Sequence, residues 1–223
     1  MLKFLPLILI LAYTVVLYFW SSFRLRQELR RNSTPLTDVR MRPVLDRLAG
    51  AMGVAAIPAH VYEIEPVNGL AAPDGRVFLT RGFLRKLDAG EVNEAELASV
   101  IAHELGHVAL GHSRRRTVDF FGQNAIRVLG RFLPGIGPWL AGIVASLMAA
   151  ALSRKDEFEA DAFASALMVK AGFGTAPQIA LFEKLGRLSG GGGATGLAWL
   201  RSHPCTDERI AAIRRNVARW SQS

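Results

Sequence analysis

Residues 93–112 carry apolar side chains every three or four positions, which is the period of an α-helix with one buried face. The positions expected to face a core are Leu97, Val100, Ile101, Leu105 and Val108. Asn93, followed three residues later by Glu96, forms a capping-box pattern and predicts where this helix begins. The same period predicts an amphipathic helix over residues 37–53 that ends near Gly53, with Val44, Leu45, Leu48 and Met52 facing inward.

Three short segments have the composition and the flanking turn residues that are typical of strands. Residues 61–64 and 76–80 are predicted as strands, and residues 68–71 as a short edge strand between them. A basic helix is predicted over residues 208–220. We therefore expect an α+β fold that is mostly helical and contains a small antiparallel sheet.

The first apolar run covers residues 4–20 and contains 17 residues without a charge. As a helix it would be about 25 Å long, at the short end for a membrane span. A cleaved signal peptide is disfavoured because no small-x-small site follows. We therefore expect an uncleaved, single-pass anchor. Four arginines follow the run directly and predict that the rest of the chain lies on the cytoplasmic side; they are Arg24, Arg26, Arg30 and Arg31.

The net charge and the cysteine content of the chain limit the partners and the compartment that we expect. The net charge of +8 is compatible with nucleic acid, but the arginines are scattered and no nucleic-acid reader motif is present. We therefore expect no nucleic-acid partner and attribute the charge to attraction towards an anionic membrane surface. The single cysteine, Cys205, excludes an intramolecular disulfide and fits a reducing compartment.

The helix predicted over residues 93–112 contains His103-Glu104-Leu105-Gly106-His107, an H-E-x-x-H motif. Histidines four residues apart lie on one helix face, so both imidazoles can reach a single metal ion. Glu104 points into the same site without being needed as a ligand, which leaves its carboxylate to take a proton from water. The alternative is a pair of satisfied histidines on a buried helix.

A catalytic zinc usually has three protein ligands, so a third ligand is required. His112 is disfavoured because at 100° per residue it lies about 180° round the helix from His103 and about 140° from His107. We expect His112 at the surface or in the last turn. Glu157 is the better candidate.

Asp161 follows Glu157 by four residues, on the same helix face. It is expected to accept the free ring N–H of a ligating histidine and so to orient that ring. Asp156 and Glu159 are expected to be solvated charges. The alternative for the whole run is a charged helix start that makes i,i+4 pairs.

Further segments follow in a recognisable order. Residues 67–84 resemble a strand–turn–strand unit before an active-site helix, Glu157 and Asp161 form an E-x-x-x-D motif, and Ser202-His203-Pro204 is followed by Glu208-Arg209-Ile210. Over residues 36–217 the chain resembles the HtpX-like and CAAX prenyl endopeptidase family of membrane-associated zinc metallopeptidases, which are gluzincins.

The resemblance implies a zincin-like fold with one zinc ion per chain, held by His103, His107 and Glu157. It also implies Glu104 as the general base. Gly69 departs from the pattern, because relatives commonly carry alanine there, and we expect the departure to have a small effect.

A second apolar run, residues 132–152, contains 21 residues without a charge. A single membrane crossing here would separate the H-E-x-x-H motif from Glu157, so the run crosses an even number of times or not at all. Residues 134–138 form a turn signal, which predicts a helical hairpin over residues 117–153 that packs on the domain or dips shallowly into the bilayer. The predicted organisation is an anchor at 1–22, a basic juxtamembrane linker at 23–36 and a metallopeptidase domain at 37–223.

The function predicted is that of a membrane-anchored zinc endopeptidase that cleaves polypeptides, including membrane or misfolded proteins, in quality control. Membrane lipid is the other expected partner. A membrane-bound chaperone or scaffold with a structural metal site is the alternative. The presence of Glu104 disfavours it, because a structural site does not need a carboxylate at an open position.

Two further site predictions concern substrate and transition state. The segment Asn68-Gly69-Leu70-Ala71 is expected to be an exposed edge that pairs with an extended peptide, with an ordinary hairpin turn as the alternative. His203 is expected to stabilise the oxyanion, since the family resemblance places an extra donor opposite the base. The alternative is that His203 caps the helix that begins near Thr206.

Overall fold

The computed structural model describes residues 5–72, 74–112, 115–116, 119, 123, 126–127, 136–190, 198–204 and 206–220. Within these ranges the fold is mostly helical with one small sheet, as predicted. The helices and strands, in chain order, are α1 (Leu5–Arg31), β1 (Ser33–Pro35), α2 (Arg42–Met52), β2 (Ala59–Tyr62), β3 (Gly69–Ala71), β4 (Val77–Thr80), α3 (Arg81–Asp88), α4 (Glu94–Ala109), α5 (Gly137–Lys170), α6 (Ala176–Gly190), α7 (Ala198–Ser202) and α8 (Asp207–Trp220).

The described sheet has four strands in the order β1-β2-β4-β3. Strand β2 pairs with β1 in antiparallel and with β4 in parallel orientation, while β3 and β4 are antiparallel. The prediction of an antiparallel sheet is therefore wrong, because the sheet is mixed. The period of a strand shows which side chains share a face, but it does not show which neighbour the strand joins. Strand β3 lies at one edge, as predicted.

Helix α4 lies at the centre of the core and contacts α2, α5, α6 and β3. The predicted capping box is present, since the Asn93 side chain accepts from the Glu96 amide at 2.9 Å and the Asn93 amide donates to the Glu96 carboxylate at 3.0 Å. Every residue of α4 from Glu96 to His107 is buried. The metal motif thus lies on a helix that is enclosed on all sides.

The helix predicted over residues 37–53 begins later, at Arg42, and Gly53 ends it in a left-handed conformation (φ 73°). Val44 and Leu48 are buried, and Leu45 and Met52 pack against the core. Strand β1 and helices α3, α6 and α7 were not predicted. Thr80 links β4 to α3, because its side chain accepts from the Phe83 amide.

Helix α1 runs without a break from Leu5 to Arg31, across the predicted boundary between anchor and linker. Its last turns reach the sheet: Leu29 is buried against Ala72 and Phe78, and Tyr62 donates to Glu28 at 3.0 Å. Among the described residues, no helix combines the length and the apolar character that a membrane crossing requires.

The second arm of the predicted hairpin forms the first half of α5, a helix of 34 residues. Most of the first arm lies outside the described residues, as does Cys205. Glu157 and Asp161 lie inside α5 and not at a helix start, so the alternative reading of this run as a charged helix start does not hold.

Candidate active site

Helices α4 and α5 approach each other closely at Gly106, within the H-E-x-x-H motif. A Cβ atom at this position would lie 3.1 Å from the Ala160 carbonyl oxygen and 3.2 Å from its Cα. Only a residue without a side chain fits this backbone contact comfortably. The contact brings the histidine face of α4 against the carboxylate face of α5.

Four buried side chains meet at this contact: His103, His107, Glu157 and His203. Their potential ligand atoms all lie within 4.8 Å of one another. His103 Nε2 lies 3.1 Å from His107 Nε2 and 3.3 Å from Glu157 Oε2, and His107 Nε2 lies 3.5 Å from Glu157 Oε1. Ligands of a tetrahedral zinc at 2.0–2.1 Å are about 3.3 Å apart. The two carboxylate distances run to different oxygens of Glu157, and all three distances lie near this value. The three residues predicted as ligands are therefore close enough together to hold one metal ion.

Glu157 is held as an anion in this buried position. Burial raises the pKa of its carboxyl group, but hydrogen bonds with His103 and His203 outweigh burial and hold the pKa well below the usual range. Arg209 adds a positive charge 3.4 Å away. A carboxylate that stays ionised inside the protein can bind a cation without first losing a proton.

Asp161 contacts His103 as predicted, with Nδ1 of the ring 3.0 Å from Oδ1 of the carboxylate. Arg209, which the sequence reasoning did not assign to the site, donates to both oxygens of Asp161 at 2.6 Å and 2.8 Å. Burial raises the pKa of Asp161, but Arg209 and His103 outweigh it and lower the pKa. Burial likewise opposes protonation of His103, yet Asp161 and Glu157 raise the pKa of His103 to about 9. Proton and metal therefore compete for Nε2 of this ring.

His107 is placed differently, because its Nδ1 lies 2.8 Å from Nδ1 of a second imidazole, His112. Burial and the neighbouring charge on His103 lower the pKa of His107 to about 2. His112 Nε2 lies 3.1 Å from Glu159, to which Arg115 donates at 2.8 Å. The His107 ring is thus neutral, and His112, Glu159 and Arg115 form a chain of polar groups behind it.

His112 is buried, so its predicted place at the surface is wrong. Helix α4 ends at Ala109, and Gly111 turns the chain with a left-handed backbone (φ 66°). The helical-wheel angle used for His112 does not apply beyond the end of the helix. Asp156, predicted to be solvated, is also buried, and Arg115 donates to it at 2.9 Å.

Glu104 is buried beside the donors, and its Oε1 accepts from the indole N–H of Trp199 at 3.1 Å. His203 Nε2 lies 3.4 Å from the same oxygen. Sequence reasoning missed Trp199. A signal was available, because a buried indole needs an acceptor and Trp199 precedes His203 by four residues.

His203 belongs to the donor group. Its Nδ1 lies 2.8 Å from Glu157 Oε2 and 3.2 Å from His103 Nε2. It does not cap α8, since the side chain that accepts from the Arg209 amide is that of Thr206. The capping alternative is therefore wrong.

The predicted substrate edge, residues 68–71, lies along α4 next to Glu104. A Cβ at Gly69 would lie 2.7 Å from Val100 Cγ1 and 3.8 Å from Glu104 Cγ. An alanine here would require the Val100 side chain or the strand to shift, so glycine suits this close contact between β3 and α4. Asn68 Oδ1 is buried and has no hydrogen-bond partner among the described residues.

An H-E-x-x-H helix whose histidines face a buried carboxylate, inside an α+β fold, is the arrangement of a metal-dependent peptidase. Comparison with known families agrees, since the profile of Peptidase family M48 matches residues 35–217. The chain belongs to this family. It is a metalloprotease, a hydrolase that acts on peptides or proteins and depends on a metal ion.

Three similar proteins carry related names. Metalloprotease YcaL of Escherichia coli strain K12 is 32% identical over 183 residues, covering 78% of this chain and 69% of the relative. Metalloprotease LoiP of the same strain is 28% identical over 180 residues, covering 78% and 68%. Protease HtpX of Pseudomonas aeruginosa strain LESB58 is 31% identical over 213 residues, covering 76% and 70%.

Proposed function

We propose that this chain is a zinc-dependent endopeptidase that holds one zinc ion with His103, His107 and Glu157. The observation that carries the proposal is the convergence of the three buried residues, whose closest donor atoms lie 3.1 Å, 3.3 Å and 3.5 Å apart. These distances are near the edge length of a tetrahedral zinc site, with Glu157 facing His103 through Oε2 and His107 through Oε1. Two imidazoles and one carboxylate with a fourth position left for water are the donor set of many catalytic zinc sites. When bound, the ion would polarise the scissile carbonyl and lower the pKa of a water molecule.

Glu104 acts as the general base in this proposal. Its Oε1 is engaged by the Trp199 indole, so the other carboxylate oxygen remains to take the proton of the attacking water. The same carboxyl group then delivers the proton to the leaving amine, which resets it as a carboxylate. Trp199 positions Glu104 and does not itself contact the reacting atoms.

His203 donates to the oxyanion in this proposal. Its Nε2 lies 3.4 Å from Glu104 Oε1, and the ring stacks on Trp199 with centroids 5.3 Å apart. The imidazole thus lies directly beside the proposed general base. An N–H group at this position would stabilise the charge that develops on the carbonyl oxygen.

The edge of β3 binds the substrate backbone in this proposal. The strand pairs with β4 on one side only among the described residues, and Gly69 lies beside Glu104. A bound peptide analogue that made no backbone contact with residues 68–72 would contradict it.

The division of the chain is part of the same proposal: an anchor at 1–22, a linker at 23–36 and the peptidase domain at 37–223. Exposed apolar side chains along α1 support attachment to a membrane, among them Tyr13, Val16, Phe19, Trp20 and Phe23. The arginines that follow favour the cytoplasmic side for the domain. Substrates in this setting would be membrane or misfolded proteins that require removal.

Casein cleavage and zinc content, measured together, test this function. Glu104→Gln should lower turnover by about 10²–10⁴-fold while zinc content stays at one ion per chain. His203→Ala should also retain zinc and lose about 10²–10³-fold in kcat. Glu157→Ala should lose the metal. Full zinc occupancy in Glu157→Ala would overturn the ligand set, and normal turnover in Glu104→Gln would overturn the role of Glu104 as the base. A zinc-bound wild-type chain that cleaves no casein would favour a chaperone or scaffold with a structural metal.

A further inference from the structure

His112 is buried directly behind one of the proposed ligands, although nothing in the catalytic scheme uses it. The ring centroids of His112 and His107 lie 4.9 Å apart with an interplanar angle of 71°. We propose that His112 is a positioning residue that fixes His107 in the tautomer whose Nε2 is free to bind the metal. This inference rests on the proposed role of His107 as a ligand.

Two carboxylates lie at the outer end of this chain of contacts. His112 Nε2 faces Glu159 Oε2 at 3.1 Å and Asp156 Oδ1 at 3.7 Å. Ionised carboxylates only accept hydrogen bonds, so this ring nitrogen carries the hydrogen. In a neutral imidazole the other nitrogen, Nδ1, is then an acceptor.

The hydrogen on His107 is fixed by its contact with His112. Its Nδ1 lies 2.8 Å from His112 Nδ1, which is a hydrogen-bond distance and requires one donor and one acceptor. Since His112 Nδ1 is the acceptor, His107 Nδ1 must donate. His107 Nε2 is therefore left with its lone pair, and this is the atom that faces His103 and Glu157.

A second metal site is the competing explanation, because His112, Asp156 and Glu159 also converge. Arg115 excludes it in this conformation. One nitrogen of its guanidinium group lies 2.9 Å from Asp156 and 2.8 Å from Glu159, in the place that a cation would take. Arg115 thus supplies the positive charge that balances Asp156 and Glu159, and the cluster can hold His112 in place without a metal ion.

Zinc affinity measures this role independently of catalysis. Purified chain, freed of metal, is titrated with zinc in competition with a chromophoric chelator. His112→Leu fills the space without an acceptor and should weaken zinc binding by about 10–100-fold, the usual effect of losing the partner of a ligand. His112→Asn offers an amide oxygen to His107 Nδ1–H and should recover most of that loss.

Two further variants give the comparison its controls. His60→Ala removes a histidine on β2 that stacks on Phe78, and it should bind zinc as the wild type does. His107→Ala removes the ligand itself and should bind zinc least of all. Thermal unfolding of each metal-free variant shows whether it has kept its fold.

Wild-type zinc affinity in a folded His112→Leu variant would overturn the role of His112, and so would equal losses in the Leu and Asn variants. Wild-type affinity in His107→Ala would instead overturn the ligand set on which this inference rests. Failure of the inference and failure of the proposed function are thus distinguishable.

Discussion

His103 and His107 lie one turn apart on α4, yet the protein holds them from behind by different means. His103 contacts the carboxylate of Asp161, which is bound through both oxygens by Arg209. His107 contacts a second imidazole, His112, and a carboxylate follows only after that ring. The first support can be called the Asp161 side of the site and the second the His112 side.

The two sides also differ in burial. Asp161 and Arg209 expose only 2% and 3% of their side chains, so they form an ion pair inside the core. Arg115, the corresponding arginine of the His112 side, exposes 37% of its side chain. A buried ion pair is costly to break, whereas a pair in contact with water contributes little. We therefore expect the Asp161 side to support both the fold and the metal, and the His112 side to support mainly the metal.

The largest effect should follow from Asp161→Ala. Loss of this carboxylate breaks the buried ion pair in which Asp161 accepts from Arg209 through both oxygens, and this should lower the free energy of unfolding by about 3–5 kcal/mol. Zinc affinity should fall by about 10–100-fold as His103 loses its partner. Chemical denaturation of the metal-free protein and competitive zinc titration measure the two effects separately.

The double variant Asp161→Leu with Arg209→Met is the control for this prediction. Replacing both charges by apolar groups of similar volume should restore most of the lost stability without restoring zinc affinity. Recovery of both properties together would show that Asp161 has no separate role towards the metal.

A smaller effect, shared by both sides, is expected from Gly106→Ala. The added methyl group would press on the Ala160 backbone and on Phe163, both within 3.2 Å, and overpacking of this kind costs about 1–3 kcal/mol. Both histidines would move away from Glu157, so zinc affinity should also fall. Gly50→Ala, in open space on α2, is the matched control and should raise stability by about 0.5–1 kcal/mol. Wild-type zinc affinity in Gly106→Ala would show that zinc binding does not depend on the close approach of α4 and α5.

The smallest effect is expected from Arg115→Met. Arg115 is in contact with water, and Arg116 remains 3.4 Å from buried Asp156 when Arg115 is lost. The unfolding midpoint and the zinc affinity should therefore both fall less than in Asp161→Ala. What effect there is should diminish as salt is added, since salt screens exposed charges. A loss of stability comparable to that of Asp161→Ala would remove the contrast between the two sides.

The features that could be predicted from the sequence are those that depend on neighbouring positions along one helix. The spacing of His103 and His107 places them on one face of α4, and the spacing of Glu157 and Asp161 does the same on α5. The capping box at Asn93 is equally local. The family match and the metalloprotease class follow from these motifs and their order along the chain.

Tertiary structure decided the features that depend on which faces meet. The backbone turn at Gly111 carries His112 under His107, where a helical wheel would have placed it on the far side. Packing of α7 brings Trp199 to Glu104, and packing of α8 brings Arg209 to Asp161. The period of a helix or strand fixes which side chains share a face, but the partner of that face is chosen by packing between segments far apart in the chain.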